Sequence, residues 1–405
     1  MKVVIIGAGA AGCFAAIEIK RRRSDVCVTV LERGPKALAK VAVTGGGRCN
    51  ITNTFAGMRS MEQVYPRGHR LMKRLLHHFS YQDTFQWFEH EGVPLVTQSD
   101  ECVFPRSQDA MQVVDTLLGL MRSYGVCLVT GCTVQRISPL NSGYRIDTSE
   151  YAYTADRVLV AAGGQPRLSC FNMLSVLDID IVPPVPSLFS LSIADQELTS
   201  LMGTVVEQVQ LSLVGTKIRT SGALLITHWG ISGPATLRLS SIAARMLAEC
   251  NYTGIAVSIN WMSCHNSDEV LQIVKELARQ NAQKQLHSAY PTELNARLWR
   301  HLLQRASMSQ DTRWRELHGK GINRIVNILT NDIYNVIGKN RFKEEFVTCG
   351  GVALGALRPD TLESRQWPGL YFAGEVTDVD AVTGGFNLQA AWTMGYVAAR
   401  AIAQT

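Results

Sequence analysis

The sequence lacks any uninterrupted apolar run of the ~18 residues that a membrane-spanning helix needs, so it predicts no membrane span. Its ten cysteines form no Cys-x-x-Cys pair and no Cys/His spacing typical of zinc, which argues against a metal site. Scattered cysteines are more typical of reduced thiols in the cytoplasm than of a disulfide framework. Repeats and low-complexity tracts are also missing. The sequence therefore predicts a cytoplasmic globular protein, and nothing in it indicates an oligomeric state.

The composition is that of a folded enzyme-sized chain with a small excess of positive charge. Of 405 residues, 46% are hydrophobic and 18% charged, which excludes a disordered or collagen-like protein. The length predicts two or three domains. Lys and Arg total 40 against 34 Asp and Glu, a net charge of +6. Only clustering of these cations along the chain would point to a polyanionic partner.

The N-terminus has the pattern of a nucleotide-binding strand, turn and helix. The apolar run Val3–Ile6 is followed by Gly-x-Gly-x-x-Gly at Gly7–Gly12 and by an apolar helix. A second strand, Val26–Leu31, ends in Glu32, at the spacing of about 20 residues that this fingerprint requires. The glycines let a pyrophosphate approach the helix N-terminus, and Glu32 would accept hydrogen bonds from the ribose. The pattern predicts a dinucleotide site and not an export signal.

Two further glycine clusters favour a flavin over a nicotinamide. Three consecutive glycines in Thr44–Asn50 allow backbone amides to lie against a flat ring. The Thr383–Gln389 segment opens an apolar helix whose N-terminus would stabilise negative charge on a reduced flavin. Gly374, Glu375 and Asp378 precede it and would meet the ribityl chain or the pyrophosphate.

These motifs, together with two others, resemble the BaiN/RdsA (YhiN-like) flavoproteins over the whole chain. The matching strings are Gly7–Gly12, Val43–Asn53, Thr227–Ala235, Leu370–Asp378 and Gly384–Trp392. The resemblance implies FAD, redox chemistry and a cofactor domain of GR2 type. Substrates assigned within that family are a uridine of large-subunit ribosomal RNA reduced to dihydrouridine, bile-acid-type enones, and aminoacetone with oxygen.

The predicted fold class is α/β: a Rossmann-type, GR2-like FAD-binding domain with an inserted small β-domain and a helical subdomain. Residues 1–187 and 339–405 would form the FAD-binding domain, 188–262 the β-domain and 263–338 the helical subdomain. A proline cluster at Pro183–Pro186 marks the first crossing. Residues 66–122 are predicted mostly helical, including helices over Gly68–Glu91 and Asp109–Tyr124. Residues 188–260 are predicted antiparallel β and 267–338 helical.

The residues predicted to bind FAD come from the glycine clusters and from positions that the resemblance implies. They are Gly7, Gly9, Ala10, Ala11, Gly12, Glu32, Arg33, Lys40, Thr44, Gly45, Gly46, Gly47, Arg48, Cys49, Asn50, Val134, Ala162, Gly163, Gly374, Glu375, Asp378, Gly385, Phe386, Asn387 and Leu388.

Two residues are candidate proton donors beside the flavin. Cys49 adjoins the triple glycine, and Arg48 next to it would favour the thiolate; the alternative is a small packing residue. His228 precedes the Gly230–Pro234 turn, where it would act as acid or base near neutral pH; the alternative is a structural histidine. No second Gly-x-Gly-x-x-Gly follows a strand in 188–338, so NAD(P)H would dock transiently as reductant; the alternative is another electron donor.

The chain departs from the family pattern in two places. The loop after Gly164, Gln165–Cys170, is shorter than usual, and Cys102 stands where an Arg is usual. Both segments are expected to lie on the substrate side of the flavin.

Positive charge is concentrated in residues 63–82 and 292–324. In the second segment, Arg297, Arg300, Arg305 and His301 would share one helix side, with leucines on the other. Such a pattern fits the phosphate backbone of structured RNA; the alternative is an ordinary solvated surface.

The predicted activity is an FAD-dependent oxidoreductase, NAD(P)H-driven, that reduces a conjugated C=C bond, with uridine of ribosomal RNA as favoured substrate. The alternatives are a small-molecule flavin oxidase or reductase and a non-catalytic FAD-binding protein.

Overall fold

A computed structural model describes residues 1–263, 265–340 and 347–404. The chain divides into two compact units: Met1–Pro186 together with the described residues from Val347 onward, and the described residues between Ser187 and Phe346. Residues 341–346, near the start of the predicted C-terminal segment 339–405, lie outside the described residues.

The strands are β1 (Lys2–Ile6), β2 (Cys27–Leu31), β3 (Thr52–Asn53), β4 (Leu95–Thr97), β5 (Cys102–Pro105), β6 (Cys127–Val129), β7 (Val134–Pro139), β8 (Tyr144–Thr148), β9 (Ala152–Ala155), β10 (Arg157–Val160), β11 (Ile181–Ser187), β12 (Leu191–Ile193), β13 (Val205–Leu213), β14 (Arg219–Thr227), β15 (Gly230–Ser232), β16 (Ile255–Asn260), β17 (Asp332–Lys339), β18 (Val347–Val352) and β19 (Leu370–Phe372).

The helices are α1 (Ala10–Arg22), α2 (Ala39–Gly47), α3 (Met61–Val64), α4 (His69–Leu75), α5 (Tyr81–His90), α6 (Ala110–Ser123), α7 (Gln196–Thr199), α8 (Pro234–Ile242), α9 (Ala244–Glu249), α10 (Ser267–Gln280), α11 (Ala296–Arg305), α12 (Gly319–Thr330) and α13 (Phe386–Gln404). In the described residues, 3-10 helices span Leu168–Leu177, Leu286–Ser288, Trp314–Glu316, Leu354–Ala356 and Gly374–Val376.

A parallel sheet in the order β19-β10-β1-β2-β6 forms the centre of the first unit. Val3, Val4 and Ile5 of β1 are all buried, because helices and loops cover both faces of a parallel sheet. Helices α1 and α13 pack against each other, with Gly395 of α13 so near Ala11 that an added Cβ would lie 2.8 Å from the Ala11 carbonyl oxygen. The predicted Rossmann-type α/β fold is confirmed.

Smaller sheets surround this centre. β3, β5 and β4 form one antiparallel sheet, β7, β8 and β9 another, and β11 pairs with β18. The prediction of mostly helical structure over 66–122 is therefore wrong for β4 and β5. The predicted helix Gly68–Glu91 is two helices, the second begun by a capping box between Ser80 and Asp83.

The second unit is built on a closed barrel in the order β12-β15-β14-β13-β16-β17. Its core continues into helices α10, α11 and α12, where Leu298, Leu302 and Leu303 are fully buried as predicted. The antiparallel prediction for 188–260 omits α8 and α9; α8 begins with Pro234 directly after Gly233, a favoured helix start.

The predicted helix over 267–338 is wrong at its C-terminal end, because β17 pairs with β16 and β12 and closes the barrel. The alternation is visible in the sequence: Tyr334 and Val336 are buried, whereas Ile333 and Ile337 are exposed. A period of two is typical of a strand with one face in the core.

Candidate cofactor-binding site

The glycine turn after β1 is too tightly packed for any side chain at two of its three glycines. Gly7 has φ +104°, and a Cβ there would lie 2.3 Å from the carbonyl oxygen of Ala161. A Cβ on Gly12 would lie 2.0 Å from the carbonyl oxygen of Gly7. These contacts hold β1, β10 and the start of α1 together, which is the close strand–helix packing that the fingerprint glycines provide.

Gly9 differs from its neighbours because it faces open space. It caps the N-terminus of α1, and an added Cβ would meet no described atom within 4 Å. The first N–H groups of a helix have no acceptor within the helix and attract a phosphate. The geometry at Gly9 therefore fits the pyrophosphate of a dinucleotide, with Ala10 and Ala11 in the first turn beside it.

Glu32 is fixed at the carboxyl end of β2 by two backbone groups. Its Oε2 accepts the N–H of Ala8 at 2.8 Å, and its Oε1 accepts the N–H of Gly34 at 2.7 Å. The carboxylate is thereby held at the edge of the glycine turn with lone pairs left over for a ligand. This position fits the predicted contact with ribose hydroxyls.

A cavity of about 370 Å³ opens beside Glu32, within the usual size of ligand sites, roughly 300–1,000 Å³. It brings together five predicted residues: Gly7, Glu32, Arg33, Val134 and Ala162. Sequence reasoning missed the rest of its lining: Ile6, Leu31, Cys132, Thr133, Gln135, Gln165, Ser169, Cys170, Asn172 and Met173. By its position next to Glu32, the cavity fits the adenosine end of FAD.

The short loop after Gly164 belongs to this cavity. Gln165 is buried and donates to the carbonyl oxygen of Ala162 at 2.9 Å, while Ser169 and Cys170 line the wall. The sequence predicts a place on the substrate side of the flavin for this loop, which stays a prediction; the structure places these three residues at the cavity beside Glu32. Gly163, directly after Ala162, has φ +71° and no described atom within 4 Å of an added Cβ.

Lys40 and Glu375 link two predicted binding segments. The Lys40 Nζ lies 3.1 Å from Glu375 Oε2, and Glu375 Oε1 accepts the N–H of Thr348 at 2.8 Å. Gly374 has φ +77° and lies against Ala11 of the first helix. The 374–375 segment is thus brought to the glycine turn, as the sequence predicts.

The triple glycine at the end of α2 departs from helical geometry and forms a left-handed loop. Gly45, Gly46 and Gly47 have φ values of +58°, +70° and +81°, and Cys49 follows at +60°. An added Cβ on Gly46 or Gly47 would meet no described atom within 4 Å. Exposed backbone amides without side chains fit the face of a flat ring. Thr44 at the start of this loop donates its hydroxyl to the Val41 carbonyl oxygen at 2.9 Å.

The N-terminus of α13 is tied to the strand that follows this loop. Gly385 has φ +88°, and its Cβ position is filled by the Thr52 carbonyl oxygen at 2.4 Å. Asn50 completes the contact when its amide is oriented to accept the Gly385 N–H at 3.2 Å. The ring of Phe386 is buried, and Leu388 is packed against the core.

The side chain of Asn387 holds the preceding loop. It accepts from the Ala381 N–H at 2.9 Å and donates to the Ala381 carbonyl oxygen at 3.0 Å. Asp378 lies in the same loop, and its N–H donates to the Val352 carbonyl oxygen at 3.0 Å. Asn387 therefore shapes the loop with its side chain, and only its backbone N–H in the first helical turn remains for a ligand.

Cys49 is not a thiolate. Its side chain is 0% exposed, and burial raises the pKa of the thiol to about 12. Arg48 extends away, with its guanidinium 4.4 Å from the Phe104 ring centroid and near Gln108. The expectation that Arg48 favours the thiolate is wrong, because desolvation dominates. A thiol covered by protein on all sides fits the packing alternative better than the role of proton donor.

His228 belongs to the second unit. It lies exposed in the short turn between β14 and β15, with its ring 4.3 Å from that of Trp229. Gly230 after it has φ +150° and lies against the Leu191 carbonyl oxygen, so the turn is rigidly held. The catalytic role of His228 stays a prediction.

The basic segments are partly neutralised. Arg305 pairs with Asp332 at 2.7 Å and Asp195 at 3.2 Å, and buried His301 contacts the Tyr334 hydroxyl at 3.0 Å. Neither residue belongs to a free basic face, so that part of the prediction is wrong.

In the segment 63–82, two arginines have acidic partners. Arg67 pairs with buried Asp380, and Arg74 with Asp360. Arg70 and Lys73 are exposed.

Within the described residues, no helix is long and apolar enough to cross a membrane, and no group of three His, Cys, Asp or Glu side chains is arranged to hold a metal.

Comparison with known proteins agrees with this site. The sequence profile of the HI0933-like protein Rossmann domain matches residues 1–401. The chain belongs to this family. It is accordingly an FAD-dependent oxidoreductase, which confirms the predicted enzyme class and the resemblance that led to it, and sets aside the non-catalytic alternative.

Two relatives and one solved structure are similar over nearly the whole chain. The 3-dehydro-bile acid delta(4,6)-reductase of Clostridium scindens is 29% identical, covering 100% of this chain and 99% of the relative. The ribosomal RNA dihydrouridine synthase of Escherichia coli is 27% identical, covering 98% and 96%. The 3-ketosteroid-delta4-(5alpha)-dehydrogenase of Rhodococcus jostii RHA1 has a TM-score of 0.52 at 16% identity, covering 100% and 96%, and shares the fold.

Proposed function

We propose that this oxidoreductase reduces a C=C bond conjugated to a carbonyl group, with a uridine of ribosomal RNA as its substrate. The observation that carries the proposal is the full-length similarity to two relatives whose names denote this same bond type. A delta(4,6) 3-dehydro-bile acid and a uridine that becomes dihydrouridine both contain a C=C bond conjugated to a carbonyl group.

Some residues of the chain would bind the cofactor, and another would deliver a proton to the substrate. The glycine turn and Glu32 would hold the dinucleotide, and the loop of Gly45–Gly47 with the N-terminus of α13 would hold the flavin. FAD, when bound, supplies hydride transfer. Reduction of the C=C bond also needs one proton, and His228 is the proposed donor because Cys49 is covered. NAD(P)H is the proposed source of electrons.

A set of exposed basic residues on α11, on α12 and on the 3-10 helix Trp314–Glu316 supports RNA over a small substrate. Neither α11 nor α12 contains an acidic residue. We define the basic surface as Arg300, Arg315, Lys320 and Arg324. All four are exposed, and none makes a salt bridge with any other residue that the structure describes. Unpaired cations on a rigid helical scaffold suit a phosphate backbone.

A second candidate is the reduction of a small enone. It is favoured by the 29% identity to the bile-acid reductase, slightly above the 27% to the RNA-modifying relatives. This substrate would not require the basic surface. A small-molecule oxidase that returns electrons to oxygen is the remaining alternative and would consume oxygen with a candidate amine.

The proposal is tested by mass spectrometry of ribosomal RNA from cells with and without this gene. We expect one uridine to be 2 Da heavier when the native gene is present. A variant with His228→Gln should restore little of this signal, whereas Cys49→Ala should restore most of it. Unchanged ribosomal RNA in both strains would refute the RNA substrate and leave the enone as first candidate.

A further inference from the structure

Two cysteines line the cavity beside Glu32. Cys132 follows β6, and its N–H donates to the Glu32 carbonyl oxygen at 2.8 Å. Cys170 lies in the 3-10 helix Leu168–Leu177, and its N–H donates to the Arg167 carbonyl oxygen at 3.0 Å. The two cysteines therefore come from separate parts of the chain and line the same cavity, in the first unit alone.

Their exposure distinguishes them from the other cysteines near the cofactor site. Cys132 and Cys170 are half-buried, whereas Cys13, Cys49 and Cys102 are buried. Desolvation raises the pKa of Cys49 to about 12 and that of Cys102 to about 11, which keeps those thiols unreactive. Thiols at the wall of a cavity of about 370 Å³ are within reach of a small reagent.

Because of where the cavity lies, modification of these thiols would affect cofactor binding. It lies at the end of β2, where Glu32 fits the ribose of the adenosine end of FAD. A ligand in the cavity would cover both thiols, and a group attached to either sulfur would occupy volume that the adenosine end needs. If the adenosine end of FAD occupies this cavity, modification of either sulfur and FAD binding would exclude each other.

We propose that Cys132 and Cys170 form a thiol-modification site at which small disulfides block FAD loading. In the reaction, a cysteine thiolate attacks one sulfur of the disulfide. A mixed protein disulfide forms, the original S–S bond breaks, and the other half leaves as a thiol after taking up the proton lost by the cysteine. A reducing thiol reverses the exchange and reopens the cavity. The inference rests on the FAD site and is independent of the substrate.

The test compares the flavin-loaded and flavin-stripped full-length protein, treated with dipyridyl disulfide, a small uncharged reagent that releases a coloured thione. Exposed Cys27, Cys127 and Cys250 are expected to react in both forms. Peptide mass spectrometry should find Cys132 and Cys170 modified at least ~10-fold faster in the stripped form. Stripped protein treated in this way should not regain FAD absorbance until a reducing thiol is added.

Two variants make the result decisive. The FAD affinity of the double variant C132S/C170S should be the same before and after treatment with the disulfide. The matched control C27S/C127S, at exposed cysteines outside the cavity, should be blocked like the native protein. Equal modification of Cys132 and Cys170 in both forms, or normal FAD loading by the modified native protein, would overturn the proposal. Failure of untreated protein to bind FAD would instead contradict the cofactor assignment.

Discussion

The Glu32 carboxylate accepts the N–H of Ala8 at 2.8 Å, so the acid at the end of β2 is bonded directly to the glycine turn after β1. One residue thus shapes the turn and offers the carboxylate that would bind the ribose. Because the second oxygen accepts the Gly34 N–H, both oxygens are oriented before any ligand arrives. Such preorganisation lowers the cost of binding.

Glu32→Gln should weaken FAD binding by about 10- to 100-fold, because hydrogen bonds to a charged group contribute roughly 1.5–3 kcal/mol. The amide can also accept only one of the two backbone N–H groups. Titration of stripped protein with FAD measures the change. Glu207→Gln, at an exposed position of β13, is the matched control. Equal affinities of the two variants would remove Glu32 from the site.

Substitutions at Gly9 and Gly12 should separate binding from folding. Gly9→Val should keep the fold and lose FAD, because the added side chain fills space that is open in the protein alone. Gly12→Ala should lower the melting temperature, because its Cβ would lie 2.0 Å from the Gly7 carbonyl oxygen. Flavin absorbance and thermal unfolding are measured on both. A Gly9→Val protein that retains FAD would contradict the placement of the pyrophosphate.

Burial of the Cys49 thiol predicts a loss of stability at alkaline pH. Its pKa is about 12 in the folded state against the ordinary 9.0, so the native protein keeps a proton that the unfolded chain releases above pH 9. The contribution of this protonated thiol to the free energy of unfolding is complete below pH 9. It falls as the pH rises from 9 to 12, by about 1.4 kcal/mol per pH unit.

Denaturant unfolding at about pH 8 and pH 10 checks this. Cys102, whose pKa is raised to about 11 by burial, contributes in the same direction, so the comparison is between variants. Cys49→Ala should show a smaller alkaline loss than the native protein and retain turnover within a few-fold. A 100-fold loss of turnover with FAD still bound would restore Cys49 as the proton donor.

Loss of the Arg305 side chain should destabilise the protein, whereas loss of the Arg300 side chain should not, although both residues lie in α11. Arg305→Ala leaves the fully buried Asp332 without its cation, and breaking such a pair costs about 3–5 kcal/mol. Arg300→Ala, at an exposed position, should change stability by under ~0.5 kcal/mol. Chemical denaturation of both variants measures the difference. Equal stabilities would show that Arg305 is an ordinary surface residue.

The basic surface should matter for RNA alone. Changing Arg300, Arg315 and Arg324 to Glu should leave FAD binding and folding unchanged but reduce RNA affinity by at least ~10-fold. The affinity of the native protein should fall steeply with salt, since phosphate contacts release counterions. Binding assays at two salt concentrations test both effects. Unchanged affinity would make these helices solvated surface only.

The parts of the fold that follow from local pattern could be predicted from the sequence. Val3–Ile6 and Gly7–Gly12 define a strand, a turn and a helix by themselves, and all three are present. β17 was missed because it follows a long helical stretch and pairs with strands more than 70 residues earlier. Such pairing depends on tertiary contacts that no local window contains.

The candidate site, like the fold, could be predicted from the sequence only where the local pattern determines it. Several predicted glycines stand where the backbone requires them: a Cβ would clash at Gly7 and Gly12, and Gly45–Gly47 have positive φ. The cavity walls at Cys132 and Gln165–Cys170 were not predicted, since nothing local marks a residue that faces a space formed by distant segments. The burial of Cys49 and the ion pair between Arg305 and Asp332 also arise from packing. They contradict the roles that the neighbouring residues in the sequence suggested for Cys49 and Arg305.

The most direct test of the central claim is reduction of ribosomal RNA by the purified, FAD-loaded chain. Ribosomal RNA from cells without this gene is incubated with the protein and NADH or NADPH, alongside a small enone in a separate reaction, and both products are measured by mass spectrometry. We predict a gain of 2 Da on one uridine of the RNA, with little reduction of the enone. Reduction of the enone while every uridine keeps its mass would contradict the account.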